Sequence, residues 1–176
     1  RIQHIVDELL DLTRLQSGGW TPNIRVVDAA ELAEDVWSGC GAAARKHISF
    51  DIAAKGTTRV SADPEGLRQI LSNLFDNAIR YTPEGGNVSV RILPSINGNG
   101  GSAGQHQQVE LQVRDTGMGI PRESLPRIFE RFYRADPARS RADGGTGLGL
   151  SIVKHLVERM DGEVSAESEL GKGTTI

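Results

Sequence analysis

Four stretches of the chain carry apolar residues at helical spacing. In the strongest, Leu67, Ile70, Leu71, Leu74, Phe75, Ala78 and Ile79 follow the i, i+3, i+4, i+7 rule behind Asp63–Pro64, a cap residue and a first-turn proline. LSIVKHLVERM (150–160) is amphipathic in the same way. Asp28 is an N-cap residue type ahead of AAELAEDVWSGCGAAARKH, a helix that Gly39 and Gly41 weaken in its middle. Near the start, Ile2, Ile5, Leu9 and Leu12 alternate steps of three and four, the seam of a bundle or coiled-coil helix, until Gly18 and Gly19 end it. Two heptads do not establish a coiled coil, so an amphipathic helix packing on its own domain is the alternative.

Period-two alternation marks strands at ISFDIA (48–53), TRVSA (58–62), NVSVRIL (87–93), QVELQVRD (108–115) and GEVSAES (162–168), and GKGTTI begins another. PSINGNGGSAGQHQ, between the third and fourth of these, is too polar to pack and reads as a long hairpin connection. RESLPRIFERFYR (122–134) reads as a short helix interrupted by Pro126, and Ala135 to Gly147 as a flexible loop. Thr21–Pro22 reads as a linker or turn. Strands joined by hairpins and mixed with helices predict an α+β fold, one mixed sheet with helices on one face.

Composition narrows the class without naming a function. The 176 residues suit one ordinary domain with a short attached element, and 38% hydrophobic with 24% charged residues is the balance of a soluble globular protein. A net charge of −3 supplies no global basic field, which argues against broad nucleic-acid binding, although a basic cluster runs from Arg131 to Arg141. Cys40, the single cysteine, excludes an internal disulfide and a cysteine metal site. The charged start without an initiator Met reads as a fragment whose targeting segments lie elsewhere.

Candidate chemistry begins on the strongest helix. At about 100° per residue, Asn73, Asn77 and Arg80 form a narrow polar stripe beside the apolar face, with Tyr81 at its boundary. Asparagine is a poor helix-interior residue, because its amide competes for nearby backbone groups. An amide oxygen is a neutral hard ligand suited to Mg²⁺, and an arginine three residues on can reach the phosphates that such a metal accompanies. A solvated polar helix face is the bland alternative.

Three glycine stretches add to this. DTGMGI (115–120) follows a strand, where an aspartate can accept from an exocyclic amine such as that of adenine while glycines let the backbone approach a flat base. GGTGLGLSI (144–152) opens a helix, whose first N–H groups form an anion site. GKGTT (171–175) is not a phosphate loop of the GxxxxGK[ST] type, because Ala166 stands where the first glycine is required and Gly173 where Ser or Thr is.

The order of these stretches resembles the catalytic and ATP-binding domain of bacterial sensor histidine kinases, members of the wider family that includes gyrase B, Hsp90 and MutL. NLFDNAIRYT resembles the N box, DTGMGI the G1 box, IFERFYR the F box, GGTGLGLSI the G2 box and GKGTT the final glycine-threonine box. The resemblance implies an α/β sandwich, a mixed, largely antiparallel sheet covered on one face by about three helices, with an N-terminal bundle helix. It divides the chain into residues 1–19, similar to the end of the second helix of a dimerisation and phosphoacceptor domain, and 20–176, the catalytic domain with an ATP lid over about 133–148.

Carried over residue by residue, the resemblance makes Asn77 the Mg²⁺ ligand, with Asn73 lining the same site and Arg80 near the phosphates, these three being the catalytic candidates. Tyr81 packs by the nucleotide, and Asp115 reads the adenine amine with Thr174 in support. Gly117, Gly119, Gly145, Gly147 and Gly149 shape the pocket and the lid hinge, and Ile120, Thr146 and Leu148 are assigned to ATP with the boxes that contain them. Phe129 and Phe132 anchor the lid, Arg134 is a γ-phosphate partner, and Arg139 and Arg141 are solvated lid charges.

Hydrolytic members of the wider family resemble one another in a glutamate four residues before the metal asparagine. Here that position is Asn73, and an amide cannot take a proton from water at neutral pH. Transfer to a histidine needs only positioning and charge stabilisation, because neutral imidazole is the nucleophile. His4, His47, His106 and His155 all lack the family's acceptor context, so the acceptor is expected upstream of Arg1. The resemblance thus implies a protein-histidine kinase whose partners are its own phosphoacceptor domain and a response regulator, with no nucleic acid. Its parent would be a homodimer anchored in the inner (plasma) membrane of a bacterium, with this domain in the cytoplasm. A nucleotide-switched interaction module or ATPase of the same fold is the alternative.

Overall fold

The computed structural model describes residues 20–94, 108–135 and 145–176. The helix expected over 1–17, nearly all of the 94–107 connection and the middle of the expected lid lie outside the described residues.

Strand β1 (Arg25–Asp28) leads into helix α1 (Ala29–Ser38), a short α2 (Gly41–Arg45), β2 (Ser49–Ala54) and β3 (Arg59–Ala62). Helix α3 (Pro64–Tyr81) then precedes the long strands β4 (Asn87–Pro94) and β5 (Val109–Asp115), and α4 (Gly149–Arg159) is followed by β6 (Glu167–Glu169) and β7 (Gly173–Thr175). Five strands form a sheet in the order β2-β4-β5-β7-β6, and β1 pairs with β3 in a separate two-stranded sheet. Among the described strands only β2 and β4 run parallel, in register from Ser49↔Asn87 to Ala54↔Ile92, with α3 in the crossover between them. The other ladders are antiparallel, so the sheet is mixed and largely antiparallel, as expected.

Helices cover one face of this sheet. Val88, Val90 and Ile92 of β4 are fully buried, and Val113 of β5 nearly so, whereas Arg91, Glu110 and Arg114 alternate with them in solvent. The buried strand residues meet Leu71 and Phe75 of α3 and Ile152, Val153 and Leu156 of α4 in one core. Three aromatic rings fix α1 against β2 and α3: Trp37 stacks on Phe50 at 4.3 Å between centroids, and Phe75 meets both edge-on at 5.3 and 5.6 Å.

Caps set the helix starts where the sequence predicts them. The Asp28 carboxylate accepts from Ala30 N and Glu31 N at 3.0 and 3.2 Å. Asp63 Oδ1 accepts from Gly66 N at 2.7 Å, while its other oxygen takes Asn23 N at 2.6 Å and ties the entering chain to the start of α3. The Trp20 carbonyl, in turn, accepts from Arg159 Nη2 at 2.7 Å at the far end of α4.

Several expectations are corrected. The helix expected over 29–47 breaks at Gly39–Cys40 into α1 and α2, because glycine is the weakest helix former after proline. RESLPRIFERFYR is not a helix: only Leu125–Arg127 makes a 3₁₀ turn, within a run of tight turns in which Ser124, Arg127 and Glu130 N–H groups each donate to the carbonyl three residues back. Pro126 lies inside that turn and suits it, having no N–H to lose. The strand expected over 162–168 shrinks to Glu167–Glu169, since β7 offers only three residues to pair with it. Strand β1 was not expected at all; four residues are too few to show alternation.

Thr82, just past α3, is 1% exposed, and its Oγ1 has no hydrogen-bond partner among the described residues. Thr82→Val keeps the shape and removes the buried hydroxyl. It should raise the unfolding free energy in urea by about 1 kcal/mol; a loss of stability would mean that a bound water satisfies the hydroxyl.

Candidate functional site

Between α3, the end of β5, the start of α4 and the β6–β7 turn lies a cavity of about 340 Å³. Asn73, Asn77, Arg80 and Tyr81 line one side, all on the stripe of α3 beside its core face. Asp115, Gly119 and Ile120 also line it, and Arg134, Gly145, Thr146, Gly147, Gly149 and Thr174 complete the wall.

One end of the cavity holds a carboxylate among apolar lining residues. Asp115 Oδ1 accepts from Gly117 N at 2.7 Å, and the backbone N–H of Thr174 also donates to the carboxylate. Burial pushes the Asp115 carboxyl above its ordinary value, while the Gly117 and Thr174 N–H groups and the Arg114 charge pull it partly back. A carboxylate has about four acceptor sites, so two backbone donors leave it able to take an N–H from a ligand. Val113, Met118, Ile120, Ile128 and Leu170 add apolar surface to the wall of the same cavity.

The loop after β5 is seated by close backbone contact. Gly119 has φ +74°, and a Cβ there would collide with the Glu169 carbonyl oxygen. Gly171 N donates to Met118 O at 2.8 Å, and Ile120 N to Ser168 Oγ at 2.8 Å. The Asp115 loop and the β6–β7 turn therefore form one unit.

The other end is polar. A Cβ on Gly149 would lie 3.2 Å from Asn73 Oδ1 and 3.8 Å from Asn77 Nδ2, so the bare glycine lets the start of α4 approach both amides. The N-cap position of α4 is Leu148, which has no side-chain acceptor for the first-turn N–H groups. Those donors suit an anion. Arg80 Nη1 sits 3.3 Å from where a Cβ of Gly145 would be. Among the described residues no three His, Cys, Asp or Glu side chains gather as a metal cage. Neutral amide oxygens beside helix N–H donors fit a hard cation that takes most of its ligands from phosphates and water, the usual arrangement for Mg²⁺.

The two ends of the expected lid meet at the cavity rim. Phe132 N donates to Gly147 O at 2.8 Å, and both residues have positive φ, 61° and 75°. This bond joins the chain on either side of the expected lid through the Phe132 backbone; the Phe132 ring is 61% exposed, whereas Ile128 is buried against the cavity. Arg127 stacks over the Tyr133 ring at 4.5 Å, steadying a cavity residue from outside.

Of the residues predicted from sequence, Gly117 and Leu148 do not line the cavity. Gly117 supplies an N–H to Asp115, and Leu148 is fully buried in the core. Arg139 and Arg141 lie outside the described residues. Met118, Tyr133, Leu150 and Leu170 line the cavity without having been singled out. Met118 and Leu150 lay within or beside quoted glycine stretches, but Leu170 sits on a turn, where no periodicity marks it.

Asp115 gives a pH signature. A carboxyl raised by folding binds its proton more tightly in the folded state, so it weakens folding as pH climbs past its ordinary value of 3.8 and through the raised folded value. Asp115→Asn cannot titrate. Its stability relative to the parent should increase from acidic pH to neutrality in urea unfolding; a flat or opposite trend would refute the burial argument.

The sequence model of the histidine kinase-, DNA gyrase B-, and HSP90-like ATPase family matches residues 62–176. The chain is 38% identical over 176 residues to the sensor-like histidine kinase SenX3 of Mycolicibacterium smegmatis and 33% identical over 177 residues to the sensor histidine kinase WalK of Bacillus subtilis. These alignments take in 99% and 100% of this chain but 43% and 28% of those proteins, so it spans less than half the length of either relative. Among solved structures, full-length ShkA in complex with AMPPNP superposes with a TM-score of 0.79 at 31% identity, over 99% of this chain and 34% of that one. The mycobacterial sensor histidine kinase MprB superposes with a TM-score of 0.66 at 29% identity, over 86% of this chain and 93% of that one. With this match over most of its length and the mixed sheet described above, the chain belongs to the histidine kinase-, DNA gyrase B- and HSP90-like ATPase family.

Proposed function

We propose that this chain is the catalytic domain of a bacterial sensor histidine kinase, binding ATP with Mg²⁺ and presenting the γ-phosphate to a histidine on a helical domain that precedes it. The observation that carries this reading is the two-ended cavity: a buried carboxylate in apolar walls at one end, amides, Arg80 and the open N-terminus of α4 at the other. Adenine suits the first end, since Asp115 can accept its exocyclic N–H while Met118 and Ile120 cover its faces. Phosphates suit the second. Mg²⁺, when bound, neutralises phosphate charge and holds the γ-phosphoryl group in line for transfer.

In this reading the Asn77 amide oxygen holds the metal, Asn73 supports it, and Arg80 and Arg134 bear on the phosphates. Gly145, Thr146 and Gly147 form the lid's returning end. The part of the chain before Trp20 belongs to the second helix of the dimerisation and phosphoacceptor domain, and the phosphate passes on to an aspartate of a response regulator. The parent is a homodimer anchored in the bacterial plasma membrane; no helix among the described residues is long and apolar enough to cross a membrane.

Asn73 separates this reading from an ATP-hydrolysing clamp. It stands beside Asn77 and the start of α4, where a carboxylate would be needed to take a proton from attacking water. Steady ATP turnover without an acceptor would favour the clamp. The kinase reading expects Mg²⁺-dependent ATP binding and phosphotransfer in trans to a supplied phosphoacceptor domain. Asn77→Ala should weaken Mg²⁺-dependent ATP binding by at least about tenfold at unchanged thermal stability. Unaltered binding in that variant would return the amides to a solvated helix face.

A further inference from the structure

The end of α3 leaves carbonyls that no further turn can satisfy. Each of the last ones nevertheless has a partner, the first of them the helix's own cap and the others groups from elsewhere in the chain. Ala78 O accepts from Thr82 N at 2.9 Å and Tyr81 O from Met118 N at 3.3 Å. The other three carbonyls, of Ile79, Arg80 and Thr82, converge on one side chain: Lys46 Nζ donates to them at 2.6, 3.0 and 3.0 Å. An ammonium has three donors, so all of its hydrogen-bonding capacity is spent on this helix end. Its charge also opposes the negative pole of an 18-residue helix.

Lys46 itself is held in place. Its N–H closes α2 on Ala42 O and Ala43 O at 3.2 Å, and its carbonyl accepts from Gly85 N at 3.0 Å, beyond the end of α3. The short helix α2 therefore serves as a bracket, carrying one lysine to the C-terminal end of α3.

The turn that Lys46 secures is the joint of the site. Arg80 and Tyr81 reach the cavity from it, and Asn77 precedes it by less than one turn. The Asp115 loop rests on the same turn, through the Met118 N–H to Tyr81 O and through Gly117, where a Cβ would lie 2.8 Å from that oxygen. Loosening of this turn would shift the polar and apolar ends of the cavity relative to each other.

We propose that Lys46 is a positioning residue for nucleotide binding: its side chain does not line the cavity, and it sets the spacing between the Asn77–Arg80 stripe and Asp115 by fixing the last turn of α3. This rests on the nucleotide-binding reading above.

The test measures Mg²⁺·ATP affinity of the whole chain at a temperature where every variant is fully folded. Lys46→Met should weaken binding by about tenfold or more. Lys46→Arg, which restores a cationic donor, should recover most of it. Asp28→Ala, which removes the distant cap of α1, is the control for lost stability and should leave affinity unchanged. Hydrogen exchange should quicken at Thr82 and Met118 in Lys46→Met and not in Asp28→Ala. If Lys46→Met does not fold, Lys46→Gln, with one uncharged donor group, replaces it and should give an intermediate loss. Parent-like affinity in the Met or Gln variant, or an equal loss in the control, overturns the role of Lys46 alone. A parent chain that binds no ATP overturns the nucleotide reading and this role with it.

Discussion

Everything at the site depends on how α3 is held. Its apolar face is pressed into the sheet by Leu71, Leu74 and Phe75, its first turn is capped by Asp63, and its last carbonyls are taken up by Lys46 and Met118. A helix fixed at both ends and along one face has no freedom to rotate. The polar stripe at its edge is therefore aimed by core packing, which is how two asparagines that weaken a helix locally can be carried at little risk to the fold.

Around that helix the cavity divides its chemistry between two ends. One end holds a carboxylate whose burial raises its affinity for a proton, an effect that two backbone N–H groups offset only in part, leaving it ready for a hydrogen-bond donor in a ligand. The other end collects neutral amides, an arginine and helix N–H groups. Such a division suits a molecule with a flat polar-edged ring at one end and negative charge at the other, and suits poorly a ligand of uniform character.

Local signals in the residues were enough for most helices and strands. Asp28 and Asp63 marked helix starts correctly because a side-chain cap acts within three residues. The long strands β4 and β5 declared themselves by alternation, since one face packs and the other is wet. The failures share a cause: β1, the shortened β6 and the turns around Pro126 are settled by partners far away in sequence or by backbone geometry that no periodicity records.

The sequence by itself determined which residues carry chemistry, because amide stripes and glycine spacings are local properties, and with them the family and the outline of the fold. Only the tertiary structure decided that these residues face one another across a single cavity, that Leu148 and Gly117 support it from behind, and that Leu170 closes it. It alone revealed Lys46, whose three partners lie 33, 34 and 36 residues away in sequence. A lysine after a short helix looks like any solvated charge until the chain folds and brings a helix end to it, because carbonyl partners leave no mark on the residue types that supply them.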